Sequence, residues 1–288
     1  MYPIPSQSSR CLGRPDEKTC LLAHISDLHF GKVRPAMALA LVRSLRQLSP
    51  DLVVVSGDVT QRARISQFRV GQRFLERIGR PCLVVPGNHD LPIHRPMHRF
   101  RRPLDAYQLY ISPNTAPRYE NDRMVVLGVD TTKSWRWMGG GATRRRLKRL
   151  RDDLCDLPPG RWRVLVTHHP VLPPPLRRAK PWQAAVARLA RECGLHLALS
   201  GHHHRALSKV WHRGGLLVVA AGASLSSRFR TEANSYNALT LDHDRVVVQV
   251  MAWNGYGYSE ARRRSFRLNA GVWMEEGPRA RGRLRARR

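Results

Sequence analysis

Apolar runs and amphipathic segments alternate along the first two thirds of the chain. The apolar runs are short and end in polar or glycine-containing turns, which is typical of buried strands. Between them lie segments whose apolar positions recur every three or four residues, the spacing of one helix face. The pattern predicts strands at 20–26, 51–58, 81–90, 123–131, 161–170 and 195–204, and helices at 35–48, 65–79, 143–155 and 181–193. Strands that alternate with helices indicate βαβ units and a parallel sheet.

From residue 207 onward the helical spacing disappears. Strand-like stretches follow one another at 207–212, 215–222, 235–243 and 245–253. Consecutive strands without crossover helices predict an antiparallel meander, and therefore a second sheet. We expect a single α/β domain over 20–272, with a flexible leader before it (1–19) and a disordered, arginine-rich tail after it (273–288).

The chain carries a large excess of positive charge on an ordinary globular composition. Hydrophobic residues make up 42% of it, and its 50 Lys and Arg outnumber its 21 Asp and Glu, which gives a formal net charge of +29. This excess favours a phosphate-rich partner: nucleic acid, an anionic membrane or a phosphorylated substrate. It is equally expected from arginine-heavy codon usage spread over solvated faces. Residues 277–288 are half arginine, so weak docking on an anionic membrane or on nucleic acid is expected of the tail.

The cysteines are scattered along the chain. Cys11, Cys20, Cys82, Cys155 and Cys193 are odd in number and include no C-x-x-C pair. This pattern predicts no disulfide framework and indicates a reducing compartment. No apolar run approaches the ~18 residues that a membrane span needs. The expected location is therefore the cytoplasm, with peripheral contact to a membrane as the alternative.

Polar side chains follow five of the predicted strands. The segments are Asp27-Leu28-His29, Gly57-Asp58, Gly87-Asn88-His89-Asp90, His168-His169-Pro170 and Gly201-His202-His203-His204. Any one of them alone is usually turn or loop chemistry. The carboxyl ends of parallel strands, however, converge on one crevice of an open sheet. The five segments together therefore predict a single site.

The side chains of these segments have the chemistry of a metal site. Imidazole and carboxylate groups favour first-row transition metals, and no thiolate accompanies them. The candidate ligands are Asp27, His29, Asp58, Asn88, His168, His202 and His204. Two divalent ions (Mn, Fe or Zn) fit this count better than one, because one bridging carboxylate turns seven ligands into two shells of four. A pair of ions can clamp the oxygens of a phosphoryl group.

As a set, the blocks "DLH", "GD", "GNHD", "HHP" and "GHHH" resemble those of the calcineurin-like metallophosphoesterase superfamily. The resemblance spans residues 27–204. It implies a four-layer αββα fold, with two mixed β-sheets between helices, and hydrolysis of phosphate esters at a binuclear metal centre. The opening "HISDLHFG" and the "THHP" block resemble bacterial class III cyclic-nucleotide phosphodiesterases and their glycerophosphodiesterase-like relatives.

The resemblance also implies a role for each residue. Asp27, His29 and His204 would bind one metal, Asn88, His168 and His202 the other, and Asp58 would bridge them. His89 would be the catalytic residue that contacts the phosphate and helps the leaving group depart. His169 and His203 would be neighbours of ligands and not ligands themselves.

Two positions next to these blocks need their own interpretation. Many relatives carry a second aspartate in G-D-x-x-D, which pairs with the histidine of the GNH block, but Gln61 stands at that position here. A neutral amide can orient an imidazole, but it does not raise the pKa of the ring as a carboxylate would. Asp90 is expected to cap a helix opened by Pro92.

The predicted function is that of a phosphodiesterase of cyclic-nucleotide or glycerophosphodiester type, with a small phosphate ester as substrate. One alternative keeps the metals but acts on a lipid-linked pyrophosphate or phosphodiester, with the basic helix 143–155 and the tail docked on an anionic bilayer. Another acts on nucleic acid. A third is a scaffold that binds polyanions without catalysis, which the complete set of ligand-type residues disfavours.

Overall fold

The computed structural model describes residues 19–93, 96–134, 140–211, 215–226 and 232–277, so the leader (except Thr19) and residues 278–288 of the predicted tail lie outside it. The strands are β1 (Cys20–Ile25), β2 (Leu52–Val55), β3 (Cys82–Val84), β4 (Arg118–Glu120), β5 (Met124–Val129), β6 (Trp162–Thr167), β7 (Leu197–Ser200), β8 (Leu207–Trp211), β9 (Leu216–Ala220), β10 (Ser235–Leu241), β11 (Arg245–Trp253), β12 (Tyr258–Asn269) and β13 (Val272–Glu276). The helices are α1 (Pro35–Leu48), α2 (Ile65–Ile78), α3 (Pro96–Arg101), α4 (Asp105–Tyr110), α5 (Arg144–Cys155) and α6 (Pro181–Glu192).

The strands form two mixed sheets. The first has the order β13-β12-β11-β10-β1-β2-β3, in which β1, β2 and β3 are parallel and the others antiparallel. The second has the order β4-β5-β6-β7-β9-β8, in which β5, β6, β7 and β9 are parallel. β4 and β8 are antiparallel edge strands. The predicted change from parallel crossovers to an antiparallel meander is confirmed.

Successive apolar side chains of a strand point to opposite faces of its sheet, and they form three separate apolar layers. In β1, Leu22 packs between the two sheets, whereas Ala23 and Ile25 face α1 and α2. This follows from the strand period of two, which sends successive side chains to opposite faces. α5 and α6 cover the outer face of the second sheet. The result is the four-layer αββα arrangement expected from the sequence.

Helix α2 shows why the helical segments were predictable. Its buried residues are Phe68, Gly71, Phe74 and Ile78, spaced three or four apart on one face. The helix ends at Gly79, which adopts a left-handed conformation with φ of 67°. Glycine reaches that conformation without the steric cost that a Cβ imposes.

The predicted boundary of the tail at residue 273 is wrong, because β13 occupies Val272–Glu276. Trp273 is 1% exposed and stacks on Trp162, with ring centroids 5.8 Å apart. β12 and the edge strand β13 carry many charged residues, and these residues pair across the two strands. Arg264 bonds Glu275 and Arg267 bonds Glu276. Part of the positive charge is therefore neutralised within the sheet.

The structure contains a disulfide that the sequence analysis did not predict. It joins Cys155, at the end of α5, to Cys193, directly after α6. The two helices pack together on the second sheet, which brings the two Cα atoms to 4.6 Å although 38 residues separate them in sequence. The sequence predicted no disulfide framework, and this one pair departs from that prediction. None of the helices described is long and apolar enough to span a membrane.

Candidate active site

The loops after β1, β2, β3, β6 and β7 bring the predicted residues together at one edge of the two sheets. Four three-residue groups have ligand atoms within 4.8 Å of one another. They are Asp27/His29/His204, Asp27/Asp58/His168, His29/Asp58/His89 and His168/His169/His202. Asn88 joins them through its side-chain oxygen, which lies 3.0 Å from Nε2 of His168. The structure thus places all seven candidate ligands and His89 in one cluster.

The backbone at this cluster is held in an unusual conformation. Asp27, His29, Asp58, His202 and His204 all have positive φ, between 51° and 72°. Residues other than glycine adopt this left-handed region uncommonly and at a cost, and such residues concentrate at functional sites. Here the conformation turns each side chain into the cluster directly after its strand ends.

Two glycines allow the loops to approach each other. A Cβ on Gly87 would overlap the carboxylate of Asp58, and a Cβ on Gly201 would overlap the hydroxyl of Ser26. The glycines of the "GNHD" and "GHHH" blocks are therefore required by close contact with the neighbouring loop.

The first ligand group surrounds Asp27. Its Oδ2 accepts hydrogen bonds from the Ser26 hydroxyl (2.6 Å) and from the His202 backbone N–H (3.0 Å). Its Oδ1 is thereby aimed at Nε2 of His204, 3.0 Å away. Nε2 of His29 lies 3.2 Å from Nε2 of His204. A carboxylate oxygen and two imidazole nitrogens thus converge on one point.

The second ligand group surrounds Asn88. Its Oδ1 lies 3.0 Å from Nε2 of His168 and 3.1 Å from Nδ1 of His202, and the two nitrogens are 3.2 Å apart. Asp58 stands between the two groups. Its Oδ2 is 3.4 Å from Nε2 of His168 and 3.9 Å from Nε2 of His29.

The protonation of these side chains suits metal binding. His168 donates from Nδ1 to the Ser56 carbonyl (2.8 Å), which leaves the lone pair of Nε2 facing the cluster. Burial lowers the pKa of His168, and burial together with the nearby His168 lowers the pKa of His202 to about 3. Burial would raise the pKa of Asp27, but the hydrogen bond and charge of His204 outweigh it and hold that pKa below its usual range. A neutral His168, a neutral His202 and an ionised Asp27 are the forms that bind divalent transition metals.

His89 is oriented by Gln61, the residue that stands at the second aspartate position of the G-D-x-x-D block. Its Nδ1 lies 2.9 Å from the main-chain oxygen of Gln61 and 3.2 Å from Nε2 of the Gln61 side chain. Its backbone N–H donates to Oδ1 of Asp58 (2.8 Å). A ring that donates from Nδ1 to a carbonyl exposes Nε2 on its other side. The main chain at position 61 therefore orients His89 without a carboxylate.

Asp90 does not have the predicted role. Residues Asn88–Asp90 form a single 3-10 turn, and the next helix, α3, begins only at Pro96. The buried carboxylate accepts hydrogen bonds from the backbone N–H groups of Val59, Thr60 and Gly87, at 2.8 to 3.2 Å. Burial raises the pKa of Asp90 to about 6 in spite of these bonds. Asp90 therefore ties the loop after β2 to the loop after β3, and the prediction of a helix cap at Pro92 is wrong.

Sequence comparison identifies the family. The family described as calcineurin-like phosphoesterase matches residues 21–206. The chain belongs to this family. Its Asp and His groups are candidate sites for divalent metals.

Curated relatives of the chain carry phosphodiesterase names. A probable cyclic nucleotide phosphodiesterase of Synechococcus is 33% identical over 86 residues, or 27% of this chain and 34% of that protein. A probable glycerophosphodiester phosphodiesterase of Arcobacter nitrofigilis is 27% identical over 187 residues, or 62% of this chain and 64% of that protein. The matched segments thus cover less than two thirds of either relative.

Solved structures share the fold of the chain. A dimetal phosphatase from Danio rerio is 15% identical with a TM-score of 0.60, and the match covers 82% of this chain and 97% of that one. A purple acid phosphatase from yellow lupin, Lupinus luteus, is 14% identical with a TM-score of 0.64, over 91% of this chain and 54% of that one. At these identities the likeness shows the architecture alone.

The candidate site opens into a cavity of about 640 Å³, and part of its lining was not predicted. Arg177, Lys180 and Gln183 line it, and they carry no sequence signal because only the path of the loop between β6 and α6 brings them there. His169 also lines it and is buried, whereas His203 lines it and is exposed. In the sequence, the repeated histidine of the "HHP" block is the feature that indicates a place for His169 at the site.

Proposed function

We propose that the protein is a binuclear metal-dependent phosphodiesterase that acts on a small phosphodiester of cyclic-nucleotide or glycerophosphodiester type. The observation that supports it most is the position of Asp58, whose carboxylate lies between an Asp27/His29/His204 group and an Asn88/His168/His202 group. A shared carboxylate between two three-ligand groups is the arrangement that two neighbouring ions need. The phosphodiesterase names of the curated relatives support the substrate class.

Asp27, His29 and His204 would hold one ion, and Asn88, His168 and His202 the other. When bound, the ions would supply Lewis-acid activation of the phosphoryl group and a nucleophile at neutral pH. His168 fits the ligand role better than His169. Its Nε2 faces Asn88 and Asp58, whereas Nδ1 of His169 is engaged by the Thr131 hydroxyl at 2.9 Å.

His89 would assist the leaving group. Its Nδ1 stays hydrogen-bonded to the Gln61 carbonyl while the proton on Nε2 of the imidazolium passes to the departing alkoxide oxygen. The T-shaped contact with the His29 ring, 4.8 Å between centroids, holds the imidazole against the ligand groups. Asp58 fixes the backbone at the same residue.

We expect His89→Ala to slow turnover while leaving metal content unchanged. Loss of a general acid costs roughly 10²-fold or more when the leaving group is a poorly stabilised alkoxide. A p-nitrophenolate leaving group needs little protonation, so it should lose much less. The measurement is kcat for a methyl p-nitrophenyl diester and for a dialkyl diester, with metal analysis of both proteins. An equal loss of kcat on both substrates would contradict the role of His89 as a general acid. Loss of metal would show that His89 is a metal ligand.

The substrate class is tested with two p-nitrophenyl compounds. The metal-loaded protein should hydrolyse bis-p-nitrophenyl phosphate well and the p-nitrophenyl monoester poorly. A preference for the monoester would contradict the diesterase assignment while retaining the phosphoesterase family.

The alternative of docking through the basic helix α5 receives little support. Lys148 pairs with Asp152, Arg149 with Asp153, and Arg151 with Glu192 across to α6. Much of the positive charge on α5 is thus balanced by neighbouring carboxylates. Exposed pairs of this kind contribute little to stability, but they do reduce the local positive potential.

A further inference from the structure

One wall of the cavity over the ligand groups takes no part in metal binding or in proton donation by His89. This wall is the loop between β6 and α6, and it contributes Arg177 and Lys180. Asp58 is the only acidic residue among the described residues that line the cavity, and it belongs to the ligand cluster. The mouth of the cavity is therefore cationic.

The two cations are available to a ligand. Both are exposed, and within the described ranges no carboxylate forms an ion pair with either of them. Arg205, in the loop after β7, is by contrast paired with Glu232. Unpaired cations around a concave opening raise the local concentration of anions and favour substrates of complementary charge.

The loop that carries the cations is held at both ends by Gln183. This side chain is 4% exposed. Its Oε1 accepts the backbone N–H of Lys180 (2.8 Å), and its Nε2 donates to the carbonyls of Pro170 and Leu172 (3.0 and 3.2 Å). A buried amide that satisfies both ends of a loop fixes its path. Lys180 is thus anchored through its main chain at the cavity mouth.

His169 adds a buried imidazole nitrogen to the lining of the same cavity. The Thr131 hydroxyl accepts the backbone N–H of His169 (3.2 Å) and lies 2.9 Å from its Nδ1. If that hydroxyl donates to Nδ1, the ring proton sits on Nε2. Nε2 is buried and has no hydrogen-bond partner among the described residues. An unsatisfied buried donor is costly, and an anionic oxygen in the cavity would satisfy it.

We propose that His169, Arg177 and Lys180 bind a second anionic group, a phosphate or a carboxylate, on the ester arm of the substrate that is not cleaved. The preferred substrates are then phosphodiesters that carry an additional negative charge beyond the reacting phosphate. This proposal rests on the phosphodiesterase function proposed for the same site.

The test compares two diesters with the same leaving group. 2-Carboxyethyl p-nitrophenyl phosphate carries an anionic arm, and ethyl p-nitrophenyl phosphate carries a neutral one. We expect the wild-type protein to favour the anionic diester about tenfold in kcat/KM, because each exposed charge pair contributes up to about 1 kcal/mol, or roughly fivefold. In the Arg177→Gln/Lys180→Gln protein this ratio should fall to about two or less, mainly through KM of the anionic diester.

Arg178→Gln is the matched control. Arg178 is exposed on the same loop but does not line the cavity over the ligand cluster. It lines a groove on the side of Trp211, to which Arg177 also contributes. The substitution removes the same charge and should keep the tenfold preference. An equal loss in the control would mean that only the overall potential matters, and an absent preference in the wild-type protein would overturn the proposal.

A binding measurement separates this proposal from the diesterase assignment. Failure of the wild-type protein to hydrolyse the ethyl diester would contradict the diesterase function. Calorimetric titration with phosphonoacetate and with methylphosphonate would then still compare ligands with and without the second anion. We expect the double variant to lose about fivefold or more of its affinity for phosphonoacetate and little for methylphosphonate. Equal changes for both ligands would contradict the second anion site.

Discussion

Replacement of Asp58 by Asn is expected to remove both metals and to abolish phosphodiester hydrolysis. Asp58 is the carboxylate that reaches both ligand groups, with Oδ2 3.4 Å from Nε2 of His168 and 3.9 Å from Nε2 of His29. An amide at this position keeps an acceptor for the His89 backbone N–H but loses the negative charge that offsets two divalent cations. We expect kcat to fall by about 10³-fold or more, since activation of both the nucleophile and the phosphoryl group depends on the ions.

The matched control for this substitution is Asp90→Asn. Asp90 is buried close to Asp58, but its carboxylate accepts backbone N–H groups and belongs to neither ligand group. The control should destabilise the fold by roughly 1–3 kcal/mol, because one of the amide atoms faces donors that it cannot satisfy. It should nevertheless retain both metals when folded. Metal analysis by mass spectrometry distinguishes the two variants, and an Asp58→Asn protein that keeps two ions and full activity would refute the bridging role.

The three consecutive histidines are expected to differ in their effect on metal content. His202 has Nδ1 at 3.1 Å from Asn88, and His204 has Nε2 at 3.0 Å from Asp27, so each belongs to a different ligand group. His203 is exposed and belongs to none of the groups. His202→Ala and His204→Ala should each bind one equivalent fewer and lose most activity, whereas His203→Ala should bind two.

The metal content of the His203→Ala protein tests which of the three histidines are ligands. The positive φ of His202 and of His204 turns both side chains inward, and the residue between them is left at the cavity surface. Loss of a metal equivalent in His203→Ala would show that the assignment of the three histidines is wrong. Unfolded variants are recognised by circular dichroism before metal analysis.

The candidate ligands were predictable because metal chemistry restricts residue type and because parallel strands end at a common edge. Each ligand directly follows an apolar run, so the strand prediction alone placed Asp27, Asp58 and His168 near one another. The strands of the first half of the chain were found for the same reason, since fully buried strands are continuous apolar runs.

Features that depend on long-range packing were not predictable. β12 and β13 are rich in charge, and they form strands because Arg264 and Arg267 find Glu275 and Glu276 on the neighbouring strand. The Cys155–Cys193 bond depends on how α5 packs against α6. Arg177 and Lys180 line the cavity because Gln183 holds their loop, and Gln183 has no signature in the sequence.

The most direct measurement is the rate of bis-p-nitrophenyl phosphate hydrolysis as Mn²⁺ is added back to protein stripped by a chelator. The arrangement of Asp58 between two ligand groups predicts no turnover in the stripped protein and a rate that rises until two equivalents of metal are bound. Zn²⁺, Fe²⁺ and Co²⁺ serve as further ions in the same titration. Full activity in the stripped protein, saturation at one equivalent, or no turnover with any of these ions would contradict a binuclear phosphodiesterase.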